Sequence, residues 1–220
     1  MPATTIQAPC TKMLNRKRPP VALNRSLFAG LHGDGRRLIT GWLKKADESW
    51  RSGGADAFES FIFCWIAFNG WGACVANTEV DREWVEAVAF DAELGRRFGE
   101  LASADGDFYR VATVFRSYFP IFKANELRDQ RLRLAIERVP RRDLVESYFR
   151  QGRTKYEPQC FQDHQAQVPL DWSHSMLALY RVRNNLFHGE KARHSEMDAD
   201  IVNAAYEVLF GFITRTGLLT

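Results

Sequence analysis

Cysteine is scarce in this chain, no acidic residue precedes Asp34, no apolar run reaches membrane-spanning length unbroken, and no segment alternates like a strand. Each shortage closes off a class of protein. The four cysteines (Cys10, Cys64, Cys74, Cys160) form no C-x-x-C pair. No zinc-type spacing joins them to the histidines, so neither a metal nor another cofactor is expected. Cys64 and Cys74 sit inside apolar sequence, where a free thiol behaves as a small hydrophobe. A reduced, cytoplasmic protein is the expectation. The stretch 61–76 is interrupted by Asn69, Gly70 and Gly72; it suits a buried core helix better than a membrane span, and no membrane partner is expected. Internal repeats and low-complexity tracts are also missing.

What remains is ordinary globular composition: 220 residues, 45% hydrophobic and 26% charged, with a net charge of +3. That length accommodates one domain with a real core. The charge permits an anionic partner without demanding one. Before Asp34 come Lys12, Arg16, Lys17, Arg18 and Arg25, broken by Pro19-Pro20, with no apolar h-region. A secretory signal is not expected; an organelle transit peptide would look similar, and a disordered basic arm over 1–25 is the plainer reading.

From 26 to 220 the pattern predicts one all-α domain, a bundle of about five to seven helices. Helical periodicity covers 36–50, 57–75, 81–101 (with Asp81 as cap), 107–119 (stopped by Pro120), 125–139, a turn or two within 143–149, 171–188 and 195–216. The one long irregular stretch is 151–169, and long loops in compact domains are often functional.

The helix 171–188 carries the chemistry. Asp171 or Ser173 caps it and Gly189 stops it. Ala178, Leu179, Val182 and Leu186 share one arc. Arg181, Asn184, Asn185 and His188 fall on the opposite, polar side, with Asn184 and His188 close enough to touch. Arg183 falls inside the apolar arc. A guanidinium cannot shed its proton, so it must be paired, snorkel out, or face a groove or partner chain. In a straight helix Arg183 and His188 diverge by about 140°. Blander readings stand beside this one: His188 serving only the helix dipole and last carbonyls, and Arg183 a structural ion-pair partner.

The stretch Tyr180-Arg181-Val182-Arg183-Asn184-Asn185-Leu186-Phe187-His188-Gly189 resembles the R-x(4–6)-H signature of the HEPN superfamily (higher eukaryotes and prokaryotes nucleotide-binding). Upstream, Phe61-Ile62-Phe63-Cys64-Trp65-Ile66-Ala67-Phe68-Asn69 is similar to the F-x-x-x-W-x-A-F-N core helix of a subset of those proteins. The resemblance spans most of about 56–216, with specific residues only in these two blocks. It implies an all-α bundle, a homodimer with two motifs facing across a cleft, and a metal-independent endoribonuclease. Such proteins act as toxins, phage-defence effectors or RNA-processing enzymes, some of them silenced by an antitoxin partner. Glu190 stands where the partner-modified members carry tyrosine, which argues against that form of control.

On this reading RNA is the substrate, and Arg183, Asn184 and His188 are the catalytic residues. A 2′-OH attacks the adjacent phosphate, leaving a 2′,3′-cyclic phosphate and a 5′-OH. His188 acts as general base or acid. Arg183 neutralises charge on the phosphoryl oxygens. Asn184 orients His188 or donates to the phosphate. No carboxylate cluster at the motif suggests two-metal chemistry. Asn69, an amide in an apolar helix, braces the motif or makes a structural hydrogen bond; Asn185 and Lys191 are supporting candidates. Arg150, Arg153, Lys155 and Arg193 are scattered cations that could grip substrate. Trp172 and Tyr156 could stack bases, although Trp172 at a helix start suits packing, and His164 and His174 read as incidental. The competing readings are a non-catalytic HEPN module binding nucleotide, RNA or a partner protein, and an unrelated helical interaction protein.

Overall fold

A computed structural model describes residues 21–52, 57–123, 155–164, 167–187 and 196–220, together with 143, 145, 146, 149 and 150. The fold is an all-α bundle. Its described helices are α1 (Arg25–Ala29), α2 (Gly33–Arg51), α3 (Ala57–Ala76), α4 (Asp81–Ala89), α5 (Ala92–Ala104), α6 (Gly106–Ser117), α7 (Trp172–Phe187) and α8 (Glu196–Thr216). The expected helix at 125–139 lies outside the described residues, and those described within 143–150 are helical. Arg25, which the sequence puts at the end of the arm, opens α1 and pairs with Asp91.

Helix α3 is the centre. It is apolar nearly all round, as a helix must be when neighbours cover every face. It packs along α2 and α8, while α4 joins it to α7. By length and composition α3 could also cross a membrane, being longer than the 61–76 stretch suggested. Here Phe61, Cys64, Trp65, Ala67, Phe68, Trp71, Val75 and Ala76 are buried in the core. Around it lies an aromatic cluster: Phe68 meets Trp84 and Trp172 edge-on at 5.9 and 6.2 Å, and Phe98 stands 6.0 Å from Trp172.

Three expectations give way. The single helix over 81–101 is two helices, because Asp91 turns extended and its carboxylate accepts from the Leu94 amide at 2.9 Å, capping α5. No glycine or proline announces that break. Asp81 does not cap α4 either: Val80 holds the cap position, and Asp81 faces α7. The chain also contains a two-stranded antiparallel pair, β1 (Ile121–Phe122) with β2 (Tyr156–Glu157), where no strand was expected. Two residues per strand are too few to show alternation.

Gly72 marks where α3 and α4 approach most closely. A Cβ there would lie 2.5 Å from Trp84 Cε3 and 2.7 Å from Cζ3. Trp84 is itself boxed in by Trp65 and Phe68. Gly72→Ala is therefore expected to lower stability, because overpacking of about 1–3 kcal/mol exceeds the gain in helix propensity. Gly99, exposed in α5 with nothing within 4 Å of its Cβ direction, carries the opposite sign. Gly99→Ala should stabilise by about 0.5–1 kcal/mol. Paired thermal melts check both; equal shifts would show that Trp84 can move aside.

Candidate catalytic motif on helix α7

Helix α7 begins where Asp171 accepts from the His174 amide at 3.0 Å, one of the two expected caps. It is fastened to α4 at both ends. Trp172 Nε1 donates to the Val88 carbonyl at 2.8 Å, and Arg183 Nη2 meets Asp81 Oδ2 at 3.0 Å, so the helices run antiparallel. Between these ties, the residues from His174 to Leu179, then Val182, are buried, and so is Asn185 just beyond.

Arg183 resolves the conflict raised by its position in the apolar arc. Its side chain is 19% exposed. Besides the Asp81 ion pair, Nη1 donates to Asn184 Oδ1 at 2.9 Å, and the guanidinium lies over the Phe187 ring at 4.6 Å. Its Nε is buried without a hydrogen-bond partner among the described residues. A cation held from several sides loses little freedom when it meets an anion, which is what a preorganised charge requires. The same Asp81 contact also fits a purely structural ion pair.

The β1–β2 pair packs against part of the polar side of α7, at Arg181 and Asn185. Asn185 is 1% exposed and donates through Nδ2 to the Phe122 carbonyl at 2.8 Å, which makes it a tie between helix and strand. Arg181 approaches Glu157 Oε1 at 3.6 Å with both side chains largely buried. Burial pushes the Glu157 carboxyl above its ordinary range even though Arg181 pulls it down, so desolvation outweighs the attraction at this pair.

The structure thus brings Arg183 and Asn184 together and turns Asn185 away. Asn184 contacts the arginine, which leaves its amide nitrogen as a donor. His188, Lys191, Arg153, Gly189, Glu190 and Arg193 lie outside the described residues. Asn69 Oδ1 is buried with no hydrogen-bond partner among the described residues. Arg150 and Lys155 are exposed. Tyr156 packs against Phe122 and Phe149, and Trp172 stacks on Phe212 at 4.3 Å.

Sequence reading passed over a second cluster. His174 is buried, with Nδ1 at 2.7 Å from both Asp171 oxygens and Nε2 at 3.2 Å from Cys160 Sγ. His164 lies beside it. Burial raises the Asp171 carboxyl, but hydrogen bonds from the His174 ring and backbone and from Ser173 bring it below its ordinary range. The available signal was Cys160 and His164 four positions apart, together with an Asp–His pair at the start of a helix.

No protein-family model, curated protein or solved structure matches this chain.

Proposed function

We propose that this chain is a metal-independent endoribonuclease of the HEPN type, with Arg183, Asn184 and His188 at its active end. The observation that carries the reading is the preorganised Arg183, held by Asn184 and Asp81 in the last turn of α7, five positions before His188. The RNA 2′-OH attacks the phosphorus and displaces the 5′ oxygen. His188 removes the 2′ proton or delivers one to the leaving oxygen, and Arg183 meets the charge gathering on the non-bridging oxygens. Asn184 spends its carbonyl oxygen on Arg183 and offers its NH2 to the phosphate.

A second copy supplies the opposite proton-transfer role from its own His188. Phe187, 49% exposed in the same turn, is an apolar side chain such a partner would cover. Within the cytoplasm the activity fits a toxin or phage-defence effector, held in check by an antitoxin or other partner protein. A second reading, a non-catalytic module that binds RNA, a nucleotide or a partner protein, is favoured by one observation: the Arg183 charge is already matched by Asp81.

RNA cleavage by wild type and His188→Ala, in EDTA with end-group analysis, separates the two. Wild type should leave cyclic phosphate ends, and the variant should lose about 10²–10⁴ in rate. RNA retained but uncut by wild type supports the binding module. Light scattering on the purified protein should give a dimer mass, and a strict monomer counts against the shared cleft.

A further inference from the structure

We infer that Cys160, His164 and His174 form a zinc-binding site that staples the loop after β2 to the first turns of α7. The three donor atoms lie within 4.8 Å of one another. Sulfur and nitrogen ligands on a tetrahedral zinc stand about 3.3–3.8 Å apart, given metal–ligand bonds of about 2.0–2.3 Å. The 3.2 Å between Cys160 Sγ and His174 Nε2 already approaches that spacing.

The local backbone explains the convergence. Phe161 N donates to the Pro158 carbonyl, and His164 N donates to the Cys160 carbonyl, winding 158–164 into helical turns. Cys160 and His164, four apart, then share one face, and α7 presents His174 to that face. Asp171 holds the other ring nitrogen of His174. Outer carboxylates of this kind fix the tautomer and leave Nε2 free to ligate.

The chemistry selects the ion. Two imidazoles and one thiolate are a borderline-soft set that suits zinc, with a solvent molecule completing four-coordination. On binding, the Cys160 thiol releases its proton to solvent and its sulfur lone pair forms the metal bond. A nucleophilic role for a Cys160–His174–Asp171 relay is a poorer fit. Cys160 is 0% and His174 3% exposed, so substrate could not reach the sulfur, and the relay leaves His164 without a part. The site is also remote from the motif: His174 precedes Arg183 by about 14 Å of helix. The staple and the proposed ribonuclease therefore rest on different residues, and repeating the cleavage assay on zinc-loaded protein without chelator keeps loss of the staple in EDTA from being read as loss of the nuclease.

The test uses the full chain, purified reduced and without chelator. Elemental analysis should find about one zinc per chain. Cobalt(II) added to the metal-free protein should give the ligand-field bands of a tetrahedral site and a thiolate-to-cobalt charge-transfer band. Cys160→Ser should lose that charge-transfer band. His164→Ala, at the more exposed edge, should weaken cobalt binding at least tenfold, and Asp171→Asn, which keeps a helix cap, about 10–100-fold. If removing zinc unfolds the protein and zinc alone restores its circular dichroism, the staple is supported. A metal-free chain that stays folded and shows no saturable charge-transfer band in excess cobalt overturns it, as does undiminished affinity in His164→Ala.

Discussion

Arg183→Ala is expected to cost about 10²–10³ in the rate of RNA cleavage, the scale for losing one preorganised charge that stabilises the transition state. The fold should scarcely notice. The Asp81 ion pair is partly solvated, with side-chain exposures of 19% and 39%, and such pairs contribute about 1 kcal/mol or less. The stacking on Phe187 adds a similar small amount. Large kinetic loss with a small melting shift is therefore the signature of Arg183 acting on the phosphate. If the melting temperature collapses while cleavage per folded molecule persists, Arg183 is structural and the second reading gains. Asp81→Asn sharpens the distinction, since it removes the competing charge but keeps the shape. Freed from its partner, Arg183 should hold RNA more tightly and lower KM, while looser positioning lowers kcat. A merely structural pair would move neither constant.

The helices were legible because burial leaves a periodic trace: 36–50 and 195–216 in the sequence became Gly33–Arg51 and Glu196–Thr216. Where the trace is silent, the reading failed. The break between α4 and α5 rests on the Asp91 carboxylate accepting from the Leu94 amide instead of the helix continuing, a choice that composition does not reveal. The polar stripe of α7 is visible in the sequence, but period alone cannot distinguish water from another polar backbone as its partner. Asn185 finds its partner 63 positions upstream, in a strand two residues long. The Arg183 conflict was visible as a cation in an apolar arc, but its resolution by Asp81 needed the antiparallel seating of α4 on α7. His164 and His174 looked incidental for the same reason. A ligand set assembled from a turn and a helix start has no fixed spacing to search for.

Trp172→Ala should be among the most damaging single substitutions in the fold, lowering stability by about 3–5 kcal/mol. The indole is 1% exposed, stacks on Phe212 at 4.3 Å, and touches Phe68 and Phe98, so one side chain joins α3, α5, α7 and α8. Its Nε1 also fastens α7 to the Val88 carbonyl. Truncation removes all of these contacts and leaves a cavity that fixed helices cannot close. Against a total stability of roughly 5–15 kcal/mol, that loss would bring the chain near unfolding at physiological temperature. Trp172→Phe retains an aromatic ring and forfeits one hydrogen bond, about 1 kcal/mol, partly because the Val88 carbonyl also accepts from the Asp91 amide. Denaturant unfolding of both variants gives the two costs. Cleavage at low temperature, where Trp172→Ala remains folded, then tests the base-stacking role that the sequence left open. A packing residue leaves KM for RNA unchanged, because the indole sits about 16 Å along the helix from Arg183. A raised KM in folded Trp172→Ala would instead put RNA at the start of α7 and overturn the placement of the active end.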